Sequence, residues 1–214
     1  MSVIVPTLLC ETIDDYKATA ERLQPFAKRV HIDLTDGQFA PTFTVSVNQL
    51  WWPQEWEVDI HAMVTYPSQY VDALIQMKPS MVIFHSEASE DITPTLQKLK
   101  AAGIKAGVAL LKTTVPDTAK VYIENADHVL IFSGDLGHYG GSASLMQLEK
   151  VRLVRNITPS IEVGWDGGAN IENIFSLSQG GIDVINCGSA VNKSPDPAAA
   201  YAELVGELGK HTVI

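Results

Sequence analysis

Short apolar runs rich in β-branched residues alternate along the chain with stretches whose apolar positions recur every three or four residues. The runs predict strands at residues 3–8, 30–33, 58–63, 81–85, 105–110, 128–132, 161–163 and 183–187. The stretches between and after them predict helices at 13–23, 68–77, 92–102, 115–124, 144–156, 171–179 and 197–208, with a weaker one at 47–50. Asp14 and Asp15 mark a first helical turn, and Pro195 and Pro197 precede the last helix. Ala102-Gly103 and Gly180-Gly181 close helices just before strands.

Strict β/α alternation points to a parallel sheet with helical crossovers. Dividing 214 residues by eight leaves about 27 per unit, compact but workable for a (β/α)8 TIM barrel. An open doubly wound sheet usually carries a glycine-rich loop after its first strand, whereas this chain continues Cys10-Glu11-Thr12. The α/β barrel is the expected fold. No linker or charge block divides the chain, so 1–214 is expected to form one domain.

Composition narrows the function classes. With 15 Lys and Arg against 25 Asp and Glu, the net charge is −10, which argues against nucleic acid or an anionic membrane surface as partner. A small anionic substrate stays open, because backbone N–H groups bind phosphate without basic side chains. Cys10 and Cys187 show no metal or redox spacing and suit a reduced, cytoplasmic setting. The apolar N-terminal residues lack a basic segment and read as a strand. No run approaches the ~18 apolar residues of a membrane span.

Barrel chemistry gathers at the C-terminal ends of strands. The second strand ends in His31 and Asp33, two residues apart and so on one side of the strand. The third carries His61, the fourth ends near His85 and Glu87, and the seventh runs into Asp166. Two imidazoles and two carboxylates brought together make a donor set suited to Zn2+, Mn2+, Fe2+ or Co2+. An isolated strand histidine reads first as a hydrogen-bonded core residue, and His85 and His128 take that reading. For His31, Asp33 and His61 both readings stand, but a buried carboxylate without a basic neighbour is costly and a metal would relieve the cost.

Glycines form a second constellation. Gly140-Gly141, Gly167-Gly168 and Gly188-Ser189 follow the sixth, seventh and eighth strands. Any one pair reads as a tight turn; three on successive strands suggest a phosphate cradle. Residues 50–56 hold three of the four tryptophans, as an interface patch or as packing beneath the preceding loop.

The segments "HIDLTDGQFAP", "DIHAMVTYP", "FHSEA", "VGWDGG" and "CGSAV", in this order, resemble the ribulose-phosphate 3-epimerase family. The resemblance runs from Pro6 to Leu204, and the D-x-K-x-x-D motif of decarboxylases on similar barrels is absent. It implies a metal-dependent isomerase that inverts C3 of a ketose phosphate, with D-ribulose 5-phosphate and D-xylulose 5-phosphate as the pair. His31, Asp33, His61 and Asp166 would hold one divalent ion per subunit, Zn2+ first and Fe2+, Mn2+ or Co2+ as alternatives. Asp33 and Asp166 would double as the two catalytic acid/base groups. Thr7, Met63, Gly140, Gly141, Gly168, Gly188 and Ser189 would line the substrate and hold its phosphate. A homo-oligomer, dimer or hexamer, is implied as well.

The chain departs from the family pattern in its loops. Thr35 stands where a methionine is usual, and Thr7 where a serine is usual. Phe39-Ala40-Pro41-Thr42 replaces "FVPN", and Leu111-Lys112-Thr113-Thr114-Val115-Pro116 replaces an "NPxTP" ending. Leu136–Ser142 replaces "PGFGGQ" with one added residue. These changes touch the substrate wall and spare the four metal-ligand positions. They keep two other readings open: a 3-epimerase for a ketohexose 6-phosphate of the allulose 6-phosphate type, or a barrel that binds a sugar phosphate without turnover.

Overall fold

The computed structural model of the protein describes residues 2–210; Met1 and positions 211–214 of the expected single-domain span lie outside the described residues. Eight parallel strands close into a barrel in chain order: β1 (Val3–Leu8), β2 (Arg29–Thr35), β3 (Glu57–Met63), β4 (Met81–His85), β5 (Lys105–Leu110), β6 (His128–Phe132), β7 (Glu162–Asp166) and β8 (Val184–Cys187). Closure comes from β1 pairing with β8, Val3 opposite Val184 and Ile4 opposite Ile185. The helices are α1 (Ile13–Leu23), α2 (Val71–Met77), α3 (Thr93–Ala101), α4 (Lys120–Glu124), α5 (Glu149–Ile157), α6 (Ile174–Gln179), α7 (Ser189–Asn192) and α8 (Pro197–Lys210).

Side chains alternate across each strand, and the two faces do different work. Ile32, Leu34, Ile60, Val82, Phe84, Val108, Val129, Ile131, Val163, Trp165 and Ile185 belong to the main apolar core with the helices' buried residues. The opposite set fills the barrel in layers. At the N-terminal end, Arg29 Nε donates to Asp59 at 2.7 Å and its Nη2 to Glu162 at 2.9 Å, while His128 Nδ1 lies 2.8 Å from Glu162. Above them Met81, Ile83, Ala109 and Leu130 make a small separate apolar cluster. The C-terminal layer holds His31, Asp33, His61, His85 and Asp166 on this same face.

Differences from the expected elements have local causes. The seventh strand is not residues 161–163 but Glu162–Asp166, which makes Asp166 a strand residue. Gly164 within it looks like a strand breaker, yet a Cβ there would lie 2.5 Å from His128 Nε2, so the glycine makes room inside the barrel. The segment at 47–50 forms only a 3-10 turn, Val47–Gln49. The helices expected at 68–77, 115–124 and 144–156 each open with a 3-10 turn, over Pro67–Gln69, Pro116–Ala119 and Leu145–Leu148. The short α7 after β8 was not among the expected helices. Of the clustered tryptophans, Trp56 is buried, Trp52 packs against the core, and Trp51 sits edge-on to Tyr16 with centroids 5.9 Å apart. Among the described residues no helix is long and apolar enough to cross a membrane.

Candidate metal centre and active site

Register explains why residues far apart in sequence meet. Asp33 of β2 lies opposite His61 of β3, and Phe132 of β6 opposite Asp166 of β7. All four residues project from strand ends into the barrel mouth. One ligand atom from each of His31, Asp33, His61 and Asp166 can be chosen so that all lie within 4.8 Å of one another. His61 Nδ1 is 3.0 Å from Asp33 Oδ1 and 3.5 Å from Asp166 Oδ2. His31 Nε2 is 3.4 Å from Asp33 Oδ1 and 3.9 Å from Asp166 Oδ2. Both histidines are essentially inaccessible; the Asp166 side chain, 13% exposed, is the most open of the four.

The electrostatics suit a cation. Burial would lower the His61 imidazole, but hydrogen bonds and charge from Asp166 and Asp33 push it up to about 9. Burial would raise the Asp33 carboxyl, yet His31 and His61 hold it below its ordinary value. The cluster thus stabilises positive charge between two carboxylates. His31 Nε2 is buried with no hydrogen-bond partner, as expected of a lone pair kept for an ion. Two imidazole nitrogens and two carboxylates with one orphaned nitrogen fit a divalent metal.

The cavity above the cluster is lined by Asp33, Asp166, Thr7, Met63, Gly140, Gly168, Gly188 and Ser189. Gly141 stays outside that lining, beside Asp135. A Cβ on Gly168, which has φ +71°, would lie 2.3 Å from Ala143 N, and one on Gly167 would lie 2.0 Å from Gly134 N. The loops after β6 and β7 therefore approach backbone to backbone, which only glycine allows. Thr7 Oγ1 and Asn186 Oδ1 are buried, line or border this cavity, and have no partner.

Several contributors carried no signal in the expected motifs. Tyr139 clamps the loop after β6 onto β1. Its hydroxyl accepts from Leu9 N–H at 2.6 Å, donates to the Thr7 carbonyl at 3.1 Å and accepts from Asn192 Nδ2 at 3.1 Å. Thr42 Oγ1 donates to the Gly137 carbonyl at 3.1 Å, tying the loop after β2 to the same segment. Asn186, opposite Asp166 on β8, could have been found as a polar residue at a strand end. His85 and His128 are buried and hydrogen-bonded; one partner of His85 is His61 itself, at 2.9 Å.

A barrel with a metal-competent cluster beneath a glycine-lined cavity defines the class of site. The chain belongs to the ribulose-phosphate 3-epimerase family, whose model matches residues 3–192. The Helicobacter pylori ribulose-phosphate 3-epimerase is 30% identical over 214 residues, covering 94% of this chain and 95% of the relative. The Escherichia coli protein of the same name is 31% identical, covering 90% and 89%. Among solved structures, the Salmonella typhimurium 3-hexulose-6-phosphate synthase superposes with TM-score 0.73 at 17% identity, covering 99% of this chain and 100% of the other. Orotidine 5'-phosphate decarboxylase from Pyrococcus horikoshii gives TM-score 0.68 at 13% identity, covering 97% and 99%. At such identities these two likenesses concern the fold alone.

Proposed function

We propose that this protein is a metal-dependent 3-epimerase interconverting D-ribulose 5-phosphate and D-xylulose 5-phosphate. The observation that carries the reading is the pair Asp33 and Asp166 at the floor of a glycine-lined cavity, both against the same two histidines. The C3 proton of a 2-ketose is weakly acidic and needs a placed base. Asp33 and Asp166 act on opposite faces of C3: one carboxylate takes the proton, and the other, protonated, returns one from the far side with inversion. Running the reaction backwards exchanges the two roles. A single divalent ion held by His31, Asp33, His61 and Asp166, Zn2+ first among Zn2+, Fe2+, Mn2+ and Co2+, supplies electrophilic stabilisation for the negative charge that develops on the sugar oxygens.

Thr7 and Asn186 offer unpartnered oxygens to the sugar's hydroxyls, and Met63 covers the apolar side of the carbon chain. Backbone N–H groups around Gly140, Gly168, Gly188 and Ser189 bind the phosphate, which is how an acidic protein holds an anion. A homo-oligomer in the cytoplasm completes the reading.

One observation favours a second reading. Beside the cavity lies an open, largely apolar hollow lined by Pro41, Leu111, Lys112 and Thr113, sharing Phe132, Gly134, Asp135 and His138 with it. That hollow would take a longer chain, as in a ketohexose 6-phosphate. Comparing kcat/KM on D-ribulose 5-phosphate and on D-allulose 6-phosphate at saturating metal decides between them. The pentose is expected to win; preference for the hexose supports the second reading, and no turnover of either leaves a sugar-phosphate-binding barrel.

A further inference from the structure

The remote nitrogen of His61 is held by residues outside the cluster. With Nδ1 turned toward Asp33 and Asp166, His61 Nε2 lies 2.9 Å from His85 Nε2. His85 Nδ1 in turn lies 3.3 Å from Glu87 Oε2. The other Glu87 oxygen, Oε1, accepts from the Leu111 backbone N–H at 3.0 Å and from the Thr114 hydroxyl. Both imidazoles are fully buried, with the Phe132 ring packed against each and Phe39 against His85.

Hydrogen-bond polarity along this row runs one way. A carboxylate only accepts, so His85 carries its proton on Nδ1 and donates it to Glu87. Neutral His85 then has a lone pair on Nε2, and His61 fills it by donating from its own Nε2. With its Nε2 proton held there, His61 is the ring whose Nδ1 proton, donated to Asp33 in this structure, can be given up so that the Nδ1 lone pair meets an ion between the two aspartates. The polarity is thus set at the Glu87 end and read out at Nδ1, four hydrogen-bonding atoms away.

We propose that Glu87, acting through His85, is a positioning residue that fixes the tautomer and ring orientation of His61 so that Nδ1 faces the metal. The proposal rests on the metal-centre reading above. Outer partners of ligand histidines do this generally, and losing one weakens metal affinity about 10–100-fold. Two donors already occupy Glu87 Oε1, so the near-isosteric Glu87→Gln change cannot satisfy both sides. Its NH2 turned to Leu111 and Thr114 meets the donors there. Turned to His85, it forces the imidazole proton onto Nε2, facing the proton of His61. The same carboxylate joins the metal centre to the segment after β5, where Leu111, Lys112 and Thr113 wall the neighbouring hollow.

The test compares Zn2+ affinity of wild type and Glu87→Gln by competition with a chromophoric chelator, alongside 15N spectra of histidine-labelled wild type. The expected results are an affinity loss of about 10–100-fold in the variant and a proton on His85 Nδ1 in wild type. Equal Zn2+ affinity in the two proteins overturns the inference, as does a wild-type His85 protonated only on Nε2. The spectra decide the matter even if Glu87→Gln fails to fold. Wild type that binds no divalent ion overturns the metal-centre reading and this inference with it; tight binding by both proteins overturns this inference alone.

Discussion

Replacing Tyr139 by phenylalanine isolates the clamp that holds the loop after β6 over the cavity. The ring stays, and with it the packing against Gly188, whose notional Cβ would lie 2.8 Å from Tyr139 Cδ1. Only the hydroxyl goes. The Thr7 carbonyl keeps Asn192 Nδ2 at 2.6 Å, and that amide keeps the carbonyl, so neither is stranded. The Leu9 N–H loses the Tyr139 hydroxyl, its partner at 2.6 Å. Leu9 is only half-buried and lines the cavity, so its N–H can turn to water, and the loss is that of an ordinary hydrogen bond, about 0.5–1.5 kcal/mol. Taking about 1 kcal/mol, and about 2–4 °C per kcal/mol for a chain of this size, Tm falls by about 2–4 °C. Gly140 is the next residue and lines the cavity, so a freed loop also weakens binding of the phosphate end. If about 0.7 kcal/mol of that cost appears in substrate binding, KM rises about threefold while kcat changes little. Thermal unfolding and steady-state kinetics on D-ribulose 5-phosphate check both parts. A variant with wild-type Tm and wild-type KM refutes the clamp.

Asp166→Asn is expected to abolish epimerisation while circular dichroism and cooperative unfolding persist; retained turnover removes Asp166 from the acid/base pair. His61→Ala is expected to lower bound metal in elemental analysis, and unchanged stoichiometry removes it from the ligand set. Arg29→Ala strips the partner from Asp59, whose side chain is 3% exposed, and from Glu162, and is expected to cost about 3–5 kcal/mol in urea unfolding. Glu162 is partly buried, which alone would raise its carboxyl, but His128 and Arg29 hold it well below its ordinary 4.5. Its folded value being depressed, it stabilises the fold above about pH 4.5, and that contribution is lost as the pH falls toward the folded value. Arg29→Ala should therefore show a shallower loss of stability between pH 5 and 3 in acid titrations, and an unchanged slope contradicts the assignment.

The barrel was legible because each strand carries two messages at period two. Ile32 and Leu34 face the helices while His31 and Asp33 face the barrel, and that alternation puts polar residues at strand ends without any long-range information. Asp166 was legible as a chemical group, although the run that predicts its strand stops at residue 163 while the strand continues through Gly164 and Trp165 to Asp166. The Tyr139 clamp was not legible. A hydroxyl reaching backbone groups some 130 residues away leaves no periodicity and no spacing to detect. His85 was expected to be a hydrogen-bonded core residue, and it is; that one of its partners is His61 follows from the β3–β4 pairing and from rotamers, neither written in the local sequence.

Proton exchange at C3 is the most direct test of a two-carboxylate epimerase. Metal-loaded protein incubated with D-ribulose 5-phosphate in D2O, followed by NMR, should show deuterium entering C3 of both ketopentose phosphates as D-xylulose 5-phosphate accumulates. A chelator should stop both, and added Zn2+ or another of the divalent ions should restore them. No deuterium at C3 with any of these ions, or exchange that proceeds unchanged in the chelator, contradicts the account.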